Sequence, residues 1–324
     1  MHRIYIYVAT SFEFGALVME SFESVIEGFK VKMFKFGRIL VGITTDIGPR
    51  ILYLALDTDK EFNLFGVVPS LAVETSEGVW RIYGGHRLWT SPEAMPRSYS
   101  LDDKPVKVVA TDSEVVVEGN PEPLNSVQKR IIIREGPDDH SIEVVHEIRN
   151  IGRWPIEFSC WALSLMRTNG FAIVPIKPRC VDERCLLPDR VISLWPYTSL
   201  NDKRLVFGEH YIFVKQDPSI EKPLKIGVKA NPSWATYYVD DFLFIKAFKP
   251  AEATYPDFGS TVEVYTNNLF LELETLGPLR RIEPGEVNRH VELWKVIKVG
   301  PLAIAEKDVE EKVLPIANGM LKSL

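Results

Sequence analysis

In VEVYTNNLFLELET, residues 262 to 275, side chains alternate with a period of two. Leu269, Leu271 and Leu273 share one face of an extended chain, and Phe270, Glu272 and Glu274 share the other, because successive side chains of a strand point to opposite sides. The same period recurs in IEVVHEIRN (142 to 150) and VELWKVIKV (291 to 299), which are rich in β-branched and aromatic residues. The turn clusters GNPEPLN (119 to 125), EGPDD (135 to 139), NDK (201 to 203) and EPGE (283 to 286) divide such runs. Turn signals about every 8 to 15 residues are the pattern of a sandwich or barrel. Only AEKDVEEKVLPIANGML (305 to 321) predicts a helix, with Pro315 inside it. The chain therefore reads as all-β: one large antiparallel sandwich over residues 24–298, preceded by an extension or first strand over 1–23 and followed by a helical tail over 299–324.

Composition excludes several functions. Among 324 residues, 38 Lys and Arg face 44 Asp and Glu, a net charge of −6 with no basic cluster, so nucleic acid is not an expected partner. No segment has the roughly 18 uncharged apolar residues of a membrane span, so no membrane partner is expected. Residues 4–18 come nearest, but Glu13 interrupts them and only His2 and Arg3 precede them, which makes a poor secretory signal. The expected location is the cytoplasm. Cys160, Cys180 and Cys185 lack the spacing of a zinc knuckle and predict a reducing compartment; no cofactor motif and no metal-ligand spacing stands out. Gln128 and Gln216 are the only glutamines, a bias seen in proteins from hot environments, where a disulfide between Cys180 and Cys185 would be tolerated inside a cell.

Three polar features sit where strands bury apolar groups. His146 shares a face with Ile142, Val144 and Ile148; Lys246 shares one with Phe242, Phe244 and Phe248; Glu272 and Glu274 project together. His146 is read first as a satisfied core histidine, and the Glu pair as equally a solvated face or a cavity wall. A buried ammonium needs a partner, so Lys246 is expected to pair with Glu272 or Glu274. Trp80, Trp89, Trp161, Trp195 and Trp234 lie on strands and loops that also carry Arg50, His86, Arg87, Glu93 and Asp257. Aromatic faces beside directional polar groups suit a sugar, although each Trp is equally a core residue.

GPRILYL (48 to 54), NLFG (63 to 66), WRIYGGHRLWTSPE (80 to 93), VVHEIRNIG (144 to 152) and YPDFGSTVEVYTNNLFLELETLGPLRRIEPGE (255 to 286) resemble the galactose mutarotase-like, or aldose 1-epimerase-like, superfamily over residues 24–298. The resemblance is to a branch apart from the true mutarotases. It implies an antiparallel β-supersandwich with a sugar groove on one sheet. Mutarotases open a sugar ring with a glutamate base and a histidine acid. By resemblance Glu274, or else Glu272, matches the base, His86 falls near a sugar-holding histidine, and Asp241 or Asp240 answers to a sugar-binding aspartate. The position of the acid reads Cys160, Trp161, Ala162. Indole transfers no proton at neutral pH, so His86 or His146 would have to replace the acid.

Two functions follow. In the first, the protein binds carbohydrate without chemistry, with Trp161 as a stacking platform and Arg50, Arg87, Trp89, Asp241 and Lys246 as further sugar contacts. In the second, it is an aldose 1-epimerase-like enzyme using Glu274, Glu272, His86 and His146.

Overall fold

The computed structural model describes residues 19–324, so the apolar run 4–18 lies outside the described residues. Two large sheets pack face to face. The first has the order Ser21–Ile26, Phe29–Phe36, Ile39–Thr44, Arg50–Leu56, His86–Ser91, Ile156–Met166, Leu271–Leu276, Val262–Thr266, Leu224–Val228 and Ile192–Leu194, with Arg280–Ile282 also paired to Ile156–Met166. The second runs Leu205–Phe207, Tyr211–Lys215, Phe171–Pro175, Trp234–Val239, Phe242–Phe248, Val287–Lys298, Ser141–Asn150, Val127–Glu135, Glu114–Glu118 and Lys107–Ala110. Neighbouring strands are antiparallel throughout, as the short turn-bounded runs predict. Among the described residues the first strand is Ser21–Ile26, which starts inside the segment read as an extension or first strand and runs past its end.

Alternation decides what each face carries. Phe34, Phe36, Ile51, Leu88, Cys160, Leu271 and Leu273 from the first sheet meet Ile131, Val144, Phe244 and Trp294 from the second in one continuous core. The opposite face of the first sheet carries a separate aromatic cluster of Trp89, Trp161 and Phe270, covered in part by the hairpin of Val67–Thr75 and Gly78–Gly84, which adds Trp80 to it. That hairpin enters the sheet through Gly84 and Gly85, at φ of 119° and 68°. A Cβ at either glycine would lie 2.3 Å from a carbonyl oxygen, that of Gly66 or of Ile51, so only glycine permits the approach that delivers His86.

The opposite face of the second sheet is covered by the C-terminal helix, continuous over residues 306–322. Val309, Val313, Ala317 and Met320 recur at helical spacing and pack on Phe171, Phe213, Trp234 and Ile245. Pro315 has no N–H to donate, and just before it the helix widens by one π turn, in which the N–H of Leu314 donates to the carbonyl of Val309. Among the described residues no helix is long and apolar enough to cross a membrane.

Candidate functional site

The polar residues singled out in the sequence separate onto two sides of one sheet. His86 and His146 lie between the two sheets with Lys246, whereas Arg87, Glu272 and Glu274 point to the outer face of the first sheet. Parity explains this: His86 and Arg87 are consecutive in a strand, and so are Leu273 and Glu274. The expected joining of His86 and His146 to the Glu pair as acid and base is therefore corrected.

The pairing expected for Lys246 is corrected as well. Its ammonium lies 3.2 Å from Glu292 Oε1, and it donates to the carbonyls of Ala162 and Leu273, each at 3.2 Å. The aromatic face that carries Lys246 looks inward to the first sheet, while Glu272 and Glu274 look away from it. Asp241, with Asp240, forms the turn between Trp234–Val239 and Phe242–Phe248; among the described residues its carboxylate accepts from the Tyr238 hydroxyl at 3.2 Å, away from the Glu pair. Trp234 lies beneath the C-terminal helix, away from the other tryptophans.

The interior cluster is satisfied by its own hydrogen bonds, which assign the imidazole tautomers. His146 Nδ1 donates to the His290 carbonyl at 3.2 Å, which leaves Nε2 to accept from His86 Nε2 at 2.7 Å; His86 Nδ1 then accepts from the Ser164 hydroxyl at 2.9 Å. Glu292 accepts from Thr275 and, at 2.7 Å, from Trp294 Nε1, and His290 Nε2 donates to Thr275 Oγ1 at 2.7 Å. Burial pushes His146 down to about 4 and His290 to about 3, and lowers His86 well below its ordinary value, so all three are neutral at pH 7. Burial also lowers Lys246, and against its own desolvation Glu292 is held low first by the ammonium of Lys246 and further by the hydrogen bond from Thr275. His86, His146 and Glu292 place their ligating atoms within 4.8 Å of one another, a grouping that sequence spacing did not show. Those atoms already serve one another, Lys246 and Trp294. Cys180 and Cys185 are joined in a disulfide, so their sulfurs offer no thiolate.

The outer face holds a second cluster. Across the sheet, the register sets Arg87 opposite Leu163, Leu163 opposite Glu274, Glu274 opposite Glu263 and Glu263 opposite Gly227. One row over, Trp89 faces Trp161. Two carboxylates directly opposite repel, and a cation intervenes. Lys225 Nζ lies 2.8 Å from Glu263 Oε2 and 3.0 Å from Glu274 Oε2. Gly227 keeps this corner open, since a Cβ there would meet Ser260 Oγ at 2.5 Å and Glu263 Cγ at 3.3 Å. Trp161 Nε1 donates to Glu274 Oε2 at 2.8 Å, and the ammonium of Lys225 sits 4.4 Å from the Trp161 ring and 4.6 Å from that of Trp195. Glu272 takes Arg87 at 2.6 Å, and the Arg87 guanidinium lies 4.4 Å over Trp89. Arg50, fully buried, is held by Asp102 at 2.6 Å and by the carbonyls of Ile82 and Gly84.

Burial raises Glu263 well above the usual carboxylate range, opposed by Lys225, and raises Glu274 as well. Lys225 itself stands well above its ordinary value: burial lowers it, but the attraction of Glu263 and Glu274 prevails. Raised together, these facing carboxyls can hold one proton between them above the usual carboxylate range. Glu93, Tyr99, Trp195 and Tyr197 form a half-buried or exposed rim.

The site residues missed in the sequence are Lys225 and Glu263. The short link between Val262–Thr266 and Leu271–Leu276 predicts a hairpin that faces Glu263 with Glu274. Nothing local marks Lys225, which in LKIGV reads as an ordinary solvated lysine.

No protein-family model matches the chain, and no curated protein matches it in sequence. Solved structures do resemble it. A TPR-domain containing protein from Parabacteroides distasonis superposes with a TM-score of 0.59 at 12% identity, over 87% of this chain and 49% of the other. The chain thus spans about half the length of that protein. The "putative mutarotase (YeaD)" from Salmonella typhimurium superposes with a TM-score of 0.54 at 10% identity, over 86% of this chain and 94% of the other. The Slr1438 protein from Synechocystis gives a TM-score of 0.50 at 12% identity, over 90% of this chain and 100% of the other. At such identities the likeness establishes architecture, and the chain has the galactose mutarotase-like β-supersandwich fold.

Proposed function

We propose that the protein binds a sugar on the outer face of its first sheet, between the Trp161–Glu274–Lys225–Glu263 cluster and the rim of Glu93, Trp195 and Tyr197. The carrying observation is the set of open acceptors. Among the described residues, no donor is aligned on Glu263 Oε1 or Oε2 or on Glu274 Oε1, although both residues are buried. Lys225 reaches Glu263 at ion-pair distance but off the line of a good hydrogen bond. Buried acceptors without donors are costly, and sugar hydroxyls would supply them. Trp195 and Tyr197 offer apolar faces for the C–H side of a ring. A titration of tryptophan fluorescence with neutral aldoses is expected to saturate in the wild-type protein and to weaken at least about tenfold in Glu274→Ala, a change of ~1.4 kcal/mol. No saturable change with any sugar would refute the reading.

The facing carboxyls favour a second reading, anomeric epimerisation. The ionised partner, Glu274, would take the proton of the anomeric hydroxyl while the protonated partner, Glu263, gives its proton to the ring oxygen; the C–O ring bond opens, and reclosure on the other face returns both protons. This assigns the acid to Glu263 in place of the histidines expected from the sequence. Polarimetry on an aldose that binds is the test: Glu263→Gln and Glu274→Gln should each abolish mutarotation above the buffer rate, and a wild-type rate equal to buffer removes epimerisation while leaving binding.

A further inference from the structure

The outer-face cluster is short of positive charge. Three buried carboxylates, Glu263, Glu272 and Glu274, stand against two buried cations, Arg87 and Lys225. Elements packed around it deepen the deficit. Glu93, in the loop after His86–Ser91, acts on Lys225, and Asp257, in the turn Pro256–Gly259, acts on Glu263; the phenols Tyr197 and Tyr265 are neutral at pH 7. The neighbouring Arg50 is already neutralised by Asp102. Each guanidinium already pairs with a carboxylate, Arg87 with Glu272 and Arg50 with Asp102, and among the described residues the buried Nε of each is left without a partner, so a phosphate or carboxylate on a ligand would enter against a local excess of carboxylates. Open oxygens remain on Glu263 and Glu274, both essentially inaccessible to solvent. Burial raises both carboxyls, and a neighbouring carboxylate raises each further, Glu274 acting on Glu263 and Glu272 on Glu274, so one proton can offset the excess.

We propose that this site recognises a sugar carrying an ammonium group, which Glu263 and Glu274 accept through their unpartnered oxygens. The proposal rests on the carbohydrate reading and narrows its ligand. An ammonium has donors and no acceptor, which suits Glu263 Oε1 and Glu274 Oε1, the two oxygens that Lys225 does not reach, and charge-assisted bonds to carboxylates are shorter and stronger than those of a hydroxyl. Desolvating a phosphate beside Glu263 would be penalised, because a buried charge without a partner is costly.

The test is calorimetric titration of the full chain at pH 7 with glucosamine, galactosamine, their neutral parents, their N-acetyl derivatives and the 6-phosphates of the parents. An amino sugar is expected to bind at least about tenfold tighter than its parent and its N-acetyl derivative, with the phosphate weakest. Repeating the titration in buffers of different ionisation enthalpy should show a proton released on binding. The preference should vanish in Glu263→Gln and, as an independent variant, in Glu274→Gln. A parent sugar or a phosphate that binds as tightly as the amino sugar overturns this inference and leaves the carbohydrate reading standing. Binding by none of the sugars removes both.

Discussion

Lys225 shows how one side chain holds a hostile pair together. Glu263 and Glu274 face each other directly across two strands, and their repulsion is tolerated because a single ammonium lies within 3.0 Å of both. Removing that cation leaves two buried carboxyls without it, so Lys225→Met is expected to cost about 3–5 kcal/mol of stability in urea denaturation. Adding Glu263→Gln to Lys225→Met should restore at least half of the loss. Wild-type stability in the single variant would show that the pair has no need of the lysine. The buried carboxylates here have different cations: Arg87 serves Glu272, Lys225 serves Glu274, and Lys246 serves Glu292 between the two sheets.

The C-terminal helix is the element whose pattern and packing agree most closely. Val309, Val313, Ala317 and Met320 form the only buried stripe along residues 306–322, and they cover aromatic residues on the second sheet. Met320→Ala should destabilise by about 2–5 kcal/mol, the usual range for truncating a buried long apolar side chain. Deleting residues 305–324 should expose Phe171, Phe213 and Trp234 and produce strong binding of a hydrophobic dye with loss of solubility; a deletion variant that stays monomeric and binds no dye would contradict this role. The strands around the site act differently. Their register, and no sequence motif, places Lys225, Glu263 and Glu274 in contact.

Across the whole molecule, stability should depend on pH with opposed contributions. His86, His146 and His290 have folded pKa values below the ordinary imidazole value, so below about pH 6.5 the unfolded chain binds protons that the native core refuses. Stability is therefore lost as pH falls from 6.5, and for His146 the interval down to about 4 corresponds to about 3 kcal/mol. Glu292, lowered in the fold, adds a loss on acidification below the ordinary carboxylate range. Glu263 and Glu274, raised in the fold, oppose these, since there the native state holds the extra proton. Three histidines outweigh one shared proton, so the melting temperature should fall from pH 7 to pH 5. His146→Gln should flatten that slope whatever its effect at pH 7, and an unchanged slope would mean that His146 is not buried in its neutral form.

The sequence by itself determined the all-β class, which residues share a face in segments 142–148, 242–248 and 269–274, and the terminal helix, because period-two and period-3.6 patterns are local and an antiparallel sheet respects them. It also marked His146 as a core residue and Glu272 and Glu274 as a pair on one face. Which partner each group meets was decided only by the tertiary structure. His86 and Arg87 are adjacent in the chain yet belong to opposite faces of one sheet, and Glu274 and Lys225 are 49 residues apart yet in contact. Register across strands and the packing of one sheet on the other set those contacts, and single-strand periodicity carries no information about either.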